Sequence, residues 1–447
     1  MITITPLEEW IRKKAHIDPL LQGSSFVKAL SDYQLQRVNE TIGYACRNSA
    51  FYRLHLDSFA TQPLTALSEI DQLPFTTASD LARDPFRFLA VRQDDVARIV
   101  TLHTSGSTSR PKRLCFSDDD LELTIDFFHH GMSTIVQPGQ KVAVLLPCER
   151  VDSVGDLLIR GLKRMDVATL PYGPVGDPLH AMREVASFGA DCLVGIPTQA
   201  LAMARSPLGP VGKGCIQSVL LSTDYAPRAI VRSLEGVWGC RVFDHYGMTE
   251  MGLGGGVECE ALDGYHLREA DLYVEVVDHE TGARCPDGVI GEVVFTTLTR
   301  RAMPLIRYRT GDVARVIPEP CPCGSALRRM ERVRGRWDGA VRLGPDSTLT
   351  LPEVDEVLFS IPDLLDYRIV ILQERNAKRL LELDICTTEG GSTTFSDVKA
   401  MLSTIDSLQE SIARGHLAIS GIRFSTAGRW TTNGVAKRKI ITTDRST

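Results

Sequence analysis

No stretch of this 447-residue chain approaches the ~18 consecutive apolar positions a membrane-spanning helix needs. The first residues, MITITPLEEWIRKK, lack the apolar core of a signal peptide. Positive charge is not in excess: 50 Lys and Arg stand against 56 Asp and Glu, and the net charge of −6 gives no hint of a nucleic-acid surface. Internal repeats and low-complexity tracts are also missing. Eleven cysteines is an odd count, and most are scattered in apolar segments (Cys192, Cys215, Cys240, Cys386). That pattern argues against a disulfide framework and for a reducing, cytoplasmic setting. The expectation is a protein with no nucleic-acid and no membrane partner.

What is present is an ordinary globular composition, 43% hydrophobic and 24% charged. The length exceeds one compact core, so about two to four domains are expected. Residues 1–60 read as helical. Within 31–53, Leu35, Val38, Ile42 and Ala45 recur at steps that share one helical face. From about 95 to 250, apolar runs alternate with helical stretches. The runs are ARIVTL (97–102), KVAVLLP (141–147), VATLPYG (167–173), CLVGI (192–196), VLLS (219–222) and CRVFDHYG (240–247). Such alternation predicts a mostly parallel α/β sheet covered on both faces. After 255, DLYVEVVD, GEVVFTTLT and DVARVI read as antiparallel strands joined by turns. Past RGRWDG (334–339) a small α/β unit is expected, with helices at 352–361 and 396–413 and strands at 366–372, 380–386 and 417–425. The predicted linkers are 384–395 and a short hinge near 336. The tail RWTTNGVAKRKII (429–441) is rich in Lys and Arg.

Four segments carry candidate chemistry. In TLHTSGSTSRPKRLCFS (101–117), hydroxyls surround Gly106 and Lys112 follows. Such a loop suits an oligophosphate: glycine lets N–H groups approach, Ser and Thr add donors, and lysine adds charge. It is not the Walker pattern, which needs a glycine, four residues, then Gly-Lys-Ser/Thr. In DHYGMTEMGLGGG (244–256), Tyr246 at a strand end can stack on a planar base, and Thr249 and Glu250 can hold a phosphate-bound Mg²⁺. In RYRTGDVA (307–314), the Asp312 carboxylate can take both hydroxyls of a ribose. The basic tail is the fourth. Each alone reads equally well as a surface turn, a core aromatic, a cap or a solvated tail. Their order is what carries the argument.

TSGSTSRPK, YGMTE, YRTGD and RGRWD resemble, in order and spacing, the motifs of the adenylate-forming superfamily of acyl-CoA synthetases and adenylation domains. The run GEVVFTTLTRRAMPLIRYRTGD (291–312), the EPCPCG that follows and the small C-terminal part resemble the phenylacetate–CoA ligase-like branch. The resemblance spans roughly 30 to 440. It implies an N-terminal AMP-binding domain over 1–335, holding two α/β subdomains and a distorted β-barrel. It further implies a hinge at 336–338 with Asp338 as pivot, and a mobile α+β domain over 339–447. The implied reaction uses ATP and Mg²⁺ to turn a carboxylate into an acyl adenylate, then passes the acyl group to a thiol, usually coenzyme A. By position, Thr104, Ser105, Gly106, Ser107, Thr108 and Lys112 would embrace the phosphates. Ser222, Thr223 and Asp224 would line the adenine site, and Tyr246, followed by Gly247, would stack on it. Thr249 and Glu250 would hold phosphate and Mg²⁺. Asp312 would bind the ribose with Arg336 nearby.

The departures are informative. Ser109 stands where the phosphate loop usually has a second glycine, and Gly339 follows Asp338 where the hinge usually has a second charge. In TNGVAKRK (432–439), Val435 follows Gly434 where these enzymes carry their catalytic lysine. Lys437 lies two residues on, so an extended tail points it to the same side. Either Lys437 substitutes or the lysine is lost and only the thioester step survives.

Cys321, Cys323, Cys259 and His266 together offer three thiolates and one imidazole, a set suited to structural Zn²⁺. The alternative is unpaired cysteines. The phenylacetate–CoA ligase-like branch shows a similar cluster, and Cys285 is a spare ligand. The resemblance places the acyl pocket around 148–158, 172–176, 195–200 and His245, with Asp152, Ser153 and Gly195 as lining candidates. The charges Glu149, Arg150 and Asp152 read as solvated loop residues or as recognition of a small polar acid; the resemblance itself implies an aryl acid. Three functions compete: a carboxylate–CoA ligase, an adenylating enzyme that loads a carrier-protein thiol, and a nucleotide-binding protein with lost catalysis. A homodimer is an open expectation.

Overall fold

The computed structural model describes residues 5–59, 62–102, 111–373, 379–426 and 437–444. They form two compact units of a mixed α/β fold. One takes Met1–Pro138, Arg150–Val167 and Phe243–Val333; the other takes Gly139–Glu149, Ala168–Val242 and Arg334–Thr447. The chain passes between them inside the strand Arg241–Tyr246. Among the described residues no helix is long and apolar enough to cross a membrane.

The second unit holds a parallel sheet in the order Ser218–Leu221, Cys192–Gly195, Lys141–Val144, Ala168–Pro171. Every residue of the first two strands is buried, which is why they read as unbroken apolar runs. Helices Pro178–Phe188, Pro197–Ala204 and Arg228–Trp238 complete the α/β pattern. Prolines open the first two, where a missing N–H costs nothing. A second sheet in this unit orders Leu417–Thr426, Arg379–Thr387, Leu364–Gln373 and Ile441–Asp444, with the central pair antiparallel and the outer pairs parallel. Leu193, Val219 and Trp238 share one hydrophobic core with Leu343, Val354, Phe359 and Leu383.

The first unit is helical at its start. Helix Gly23–Asn48 buries Val38, Ile42 and Ala45 on the expected face. Antiparallel strands follow one another in space as Arg241–Tyr246, Gly256–Glu258, Tyr265–Leu267, Arg329–Met330 and Val316–Ile317. A separate antiparallel sheet joins Leu272–Val277, Gly291–Thr297 and Tyr308–Ala314.

Several local expectations change. The run ARIVTL is not part of the parallel sheet. It forms strand Arg98–Leu102 of a hairpin with Lys112–Phe116, and its residues alternate half-buried and exposed. One exposed face suits an antiparallel ribbon, not a doubly covered sheet. The predicted 396–413 helix is two, Phe395–Leu402 and Asp406–Ala413. The predicted linker 384–395 starts inside strand Arg379–Thr387. The end of the basic tail is a strand, Ile441–Asp444, lying parallel to Leu364–Gln373.

Candidate active site

Residues 103–110 lie outside the described residues, so Thr104, Ser105, Gly106, Ser107 and Thr108 have no structural account. The hairpin around them does. Leu102 pairs with Lys112 across the two-stranded ribbon. Lys112 opens the second strand, and its ammonium forms an ion pair with Glu250. Glu250 sits in the short turn Thr249–Met251 after strand Arg241–Tyr246, and its side chain is 3% exposed. Tyr308 donates its hydroxyl to the same Glu250 oxygen at 3.2 Å, and Lys112 Nζ lies 3.4 Å from that hydroxyl. The Arg300 guanidinium donates to the Glu250 carbonyl at 2.6 Å. Burial alone would raise the Glu250 pKa. The Lys112 charge, together with hydrogen bonds from Lys112, the Tyr308 hydroxyl and the backbone, outweighs burial and holds the carboxyl below its ordinary value. The result is an ionised, preorganised carboxylate at a strand-end turn.

The strand Tyr308–Ala314 connects this group to the next. Its burial alternates, so Tyr308, Thr310 and Asp312 share one face. Tyr308 meets Glu250, and Asp312 accepts the Tyr246 hydroxyl at 2.9 Å. The Asp312 N–H is fixed by Thr310 Oγ1 at 2.9 Å in the turn that Gly311 makes at φ 77°. Tyr246 stacks on Tyr265, with ring centroids 5.8 Å apart at 28°. Tyr265 donates to Asp244 at 2.7 Å, and Arg332 clamps Glu258 through bonds of 2.7 and 2.6 Å. A side chain at Gly247 would put a Cβ 2.4 Å from the Leu253 carbonyl oxygen, so only glycine fits there. Thr249 is half-buried in the same turn as Glu250.

Tyr308, Arg300 and Tyr265 were not singled out from the sequence. For Tyr308 the signal was there: it stands four residues before Asp312 on a strand of period two. Arg300 and Tyr265 carried no such mark.

The other unit holds Ser222, Thr223, Asp224 and Gly195. They lie at the C-terminal ends of adjacent parallel strands, where open α/β sheets place their ligands. Ser222 N–H donates to Gly195 O at 3.0 Å. Thr223 adopts φ 76°, a costly conformation for a β-branched residue, with its hydroxyl bonded to Ser222 O at 2.6 Å. Burial raises the Asp224 pKa, against the opposing charges of Arg438 and Lys437. Arg336 and Asp338 belong to this unit too. Both are exposed, and Arg336 Nε lies 3.2 Å from Asp338 Oδ1. Lys437 is exposed, whereas Gly434 and Val435 lie outside the described residues.

Of the acyl-pocket candidates, His245 packs its ring 6.0 Å from Phe127 and 6.1 Å from Phe128. Burial pushes its pKa down to about 4, so it is a neutral imidazole near pH 7. Asp152 pairs with Arg160 at 2.8 Å at the start of helix Val154–Lys163, and its N–H donates to Asp156 at 2.8 Å. Ser153 is buried beside it. The Arg160 pairing favours the loop-charge reading of Asp152.

The cysteine group comes together in the first unit. Cys259 follows strand Gly256–Glu258, His266 lies on strand Tyr265–Leu267, and Cys321 and Cys323 sit in the loop before Arg329–Met330. Gly324, at φ 85°, lets its N–H bond Cys321 O at 3.0 Å and tightens that loop. One ligand atom from each of the four lies within 4.8 Å of every other. Cys259 Sγ is 3.5 Å from Cys321 Sγ, and Cys323 Sγ is 3.3 Å from His266 Nε2. Backbone N–H groups of Ala261 and Ser325 donate to Cys259 and Cys323, each at 3.4 Å. Hydrogen bonds from Cys259 and His266 hold the Cys323 thiol well below its ordinary pKa, against burial. Three soft thiolates and an imidazole at this spacing fit a tetrahedral ion. Cys285 lies elsewhere, beside Gly291 of the three-stranded sheet.

A family profile described as AMP-binding enzyme matches residues 31–298. A phenylacetate–coenzyme A ligase of Escherichia coli (strain K12) is 30% identical over 341 residues, covering 72% of this chain and 74% of that protein. One from Thermus thermophilus is 27% identical over 409 residues, covering 87% and 89%. Among solved structures, a 2-hydroxyisobutyryl-CoA ligase bound to 2-HIB-AMP superposes with a TM-score of 0.77 at 19% identity, covering 94% of this chain and 91% of that one.

Proposed function

This chain belongs to the AMP-binding enzyme family, and we propose that it is an AMP-forming acid–thiol ligase whose acceptor is coenzyme A. The observation that carries this reading is the strand Tyr308–Ala314, whose single buried face meets Glu250 with Tyr308 and Tyr246 with Asp312. A carboxylate oxygen of the acid attacks the α-phosphorus of ATP, and the bond to the β-phosphate breaks to release pyrophosphate. The thiol sulfur then attacks the acyl carbon, and AMP leaves with the bonding pair.

In this reading Lys112 and the loop from Thr104 to Thr108 hold the phosphates. Tyr246 stacks on adenine, with Ser222, Thr223 and Asp224 along its edge. Asp312 binds the ribose hydroxyls, with Arg336 nearby. Thr249 contacts phosphate, and Glu250 supplies oxygen to Mg²⁺, which would neutralise charge building on the phosphates. Lys437 takes the role of the missing tail lysine, and Asp338 is the pivot between 1–335 and 339–447. His245, Ser153 and Gly195 line the acyl pocket, and the acid is aryl or small and polar. Zn²⁺ on Cys259, His266, Cys321 and Cys323 would pin two loops and take no part in the reaction. The cysteine usage supports a cytoplasmic setting.

Replacing Asp312 by alanine is expected to raise the KM for ATP by about tenfold or more, the scale of a lost charged hydrogen bond, and to leave the KM for the acid unchanged. Initial rates against each substrate check this; equal changes in both would count against the ribose role. The function itself is tested by incubating the protein with ATP, Mg²⁺, coenzyme A and either phenylacetate or 2-hydroxyisobutyrate. Mass spectrometry should find AMP and the acyl-CoA together. Val435 supports a second reading, a nucleotide binder with lost adenylation. Its signature would be ATP binding without AMP release.

A further inference from the structure

The tail does not simply trail past the fold. Arg438 stands three residues before strand Ile441–Asp444 and turns its guanidinium inward, with a side chain 16% exposed. Nη1 lies 2.7 Å from Asp355 Oδ1 on helix Leu351–Leu358. Nε lies 3.2 Å from Asp366 Oδ1 on strand Leu364–Gln373. The guanidinium plane is flanked by the rings of Tyr367 and Phe359, at 4.6 and 4.9 Å. Tyr367 donates to Asp355 at 2.6 Å, so the acceptor is itself held. The charges of Arg438 and Lys437 act on the Asp224 carboxylate. Tyr225, next to Asp224, donates its hydroxyl at 2.8 Å to Glu356 of the helix that carries Asp355. Asp224 follows Ser222 and Thr223 at the end of strand Ser218–Leu221.

The forked guanidinium fixes the side chain between two carboxylates, which a lysine cannot imitate because its charge is a single point. The Tyr225–Glu356 bond ties the helix that carries Asp355 to the residue after Asp224, at the candidate nucleotide segment. Lys437 itself is exposed, and its charge acts on Asp224. A free tail would spread the Lys437 ammonium over a large volume. The clasp confines it to the edge of residues 222–224. Three carboxylates, Asp224, Asp355 and Asp366, explain why a basic tail is drawn here at all.

We propose that Arg438 is a positioning residue: its clasp on Asp355 and Asp366 sets Lys437 beside the nucleotide segment for the adenylation half of the reaction. This rests on the reading of Lys437 given above. The test is a double-mutant cycle on two half-reactions. One is ATP–pyrophosphate exchange, with phenylacetate as the first probe and the other acids of a panel after it. The other is thioester formation from the preformed acyl adenylate and coenzyme A. Arg438→Lys is expected to slow exchange by about tenfold or more and to change the thioester step by less than about threefold. In a Lys437→Ala background, Arg438→Lys should have almost no further effect on exchange, because the group it positions is gone.

Equal losses in both half-reactions, or the same loss with and without Lys437, would overturn the positioning role and leave Arg438 as a structural anchor. If Lys437→Ala alone leaves exchange intact, the lysine reading fails and this role goes with it; if only the Arg438 variant is silent, the lysine reading stands and the clasp does not matter. Should circular dichroism show that Arg438→Lys is unfolded, Asp366→Asn weakens the same clasp at a carboxylate 31% exposed and must give the same split between half-reactions. A wild-type protein silent in exchange across the panel overturns the reading and the role together.

Discussion

Glu250→Gln is expected to lower ATP–pyrophosphate exchange by about 10²–10³-fold, the scale seen when one preorganised electrostatic contact to a transition state is removed. Glu250 is almost wholly removed from solvent, and burial there pushes a carboxyl's pKa up, against the Lys112 charge. Lys112 and the Tyr308 hydroxyl keep it ionised and aimed. Such a pair has a use beyond stability, because removing charges from water largely cancels their attraction. Under the proposed function, the lysine would turn to the phosphates of ATP and the carboxylate to Mg²⁺. Glutamine keeps the shape and one acceptor oxygen but not the charge. It also leaves Lys112 without its counter-charge, which costs up to about 3–5 kcal/mol at a buried site. The melting temperature must therefore be measured beside the rate. A folded Glu250→Gln protein that exchanges within about threefold of wild type would make Glu250 a structural partner of Lys112 and nothing more.

The second large effect concerns the four-residue cysteine and histidine group. Protein purified without chelator is expected to carry about one zinc per chain by elemental analysis. Cys321→Ser should lose it. Structural zinc sites contribute many kcal/mol of folding free energy in small domains, and even a fraction of that would lower the melting temperature by about 5–15 °C here. The loss should be local in origin, because the ion would tie the loop after Gly256–Glu258 to the loop before Arg329–Met330. Those strands belong to the antiparallel set that also includes the Tyr246 strand. Exchange activity should fall with stability, and its pH profile should keep its shape, since the group lies outside the reacting atoms in this account. Zinc-free protein from a zinc-replete culture, with Cys321→Ser as stable as wild type, would remove the metal from the account.

Much of the site was legible because its parts are local. A strand end followed by Tyr-Gly and then Thr-Glu is contiguous, and so is the Thr-Gly-Asp turn; each keeps its chemistry whatever the rest of the chain does. The cysteine group was legible for a different reason: its residue types have few other common uses together. Pairings across the chain were not readable. Lys112 and Glu250 are 138 residues apart, and no local pattern joins them. Lys112 was expected on phosphate, and the structure pairs it with Glu250. ARIVTL was misread because six apolar-leaning residues look alike in a parallel sheet and a hairpin; only partners distinguish them. The tail was read by counting charges, which picked Lys437 and passed over Arg438. Burial chose between the neighbours: a guanidinium can satisfy two carboxylates and two rings at once, and an ammonium cannot. The helix expected over 396–413 broke near Ser403-Thr404-Ile405, where Ser403 and Thr404 hydroxyls bond back to Lys399 and Met401 carbonyls. Such bonds compete with helix continuation.

The central claim is that this chain forms an acyl adenylate despite Val435. ATP–pyrophosphate exchange without coenzyme A tests it most directly, using purified protein, Mg²⁺ and a panel of aryl, short-chain, hydroxy and amino acids. The account predicts exchange with at least one acid, abolished by Lys437→Ala. Absence of exchange across the panel, with ATP still bound, would contradict it and identify the chain as a nucleotide binder that has lost adenylation.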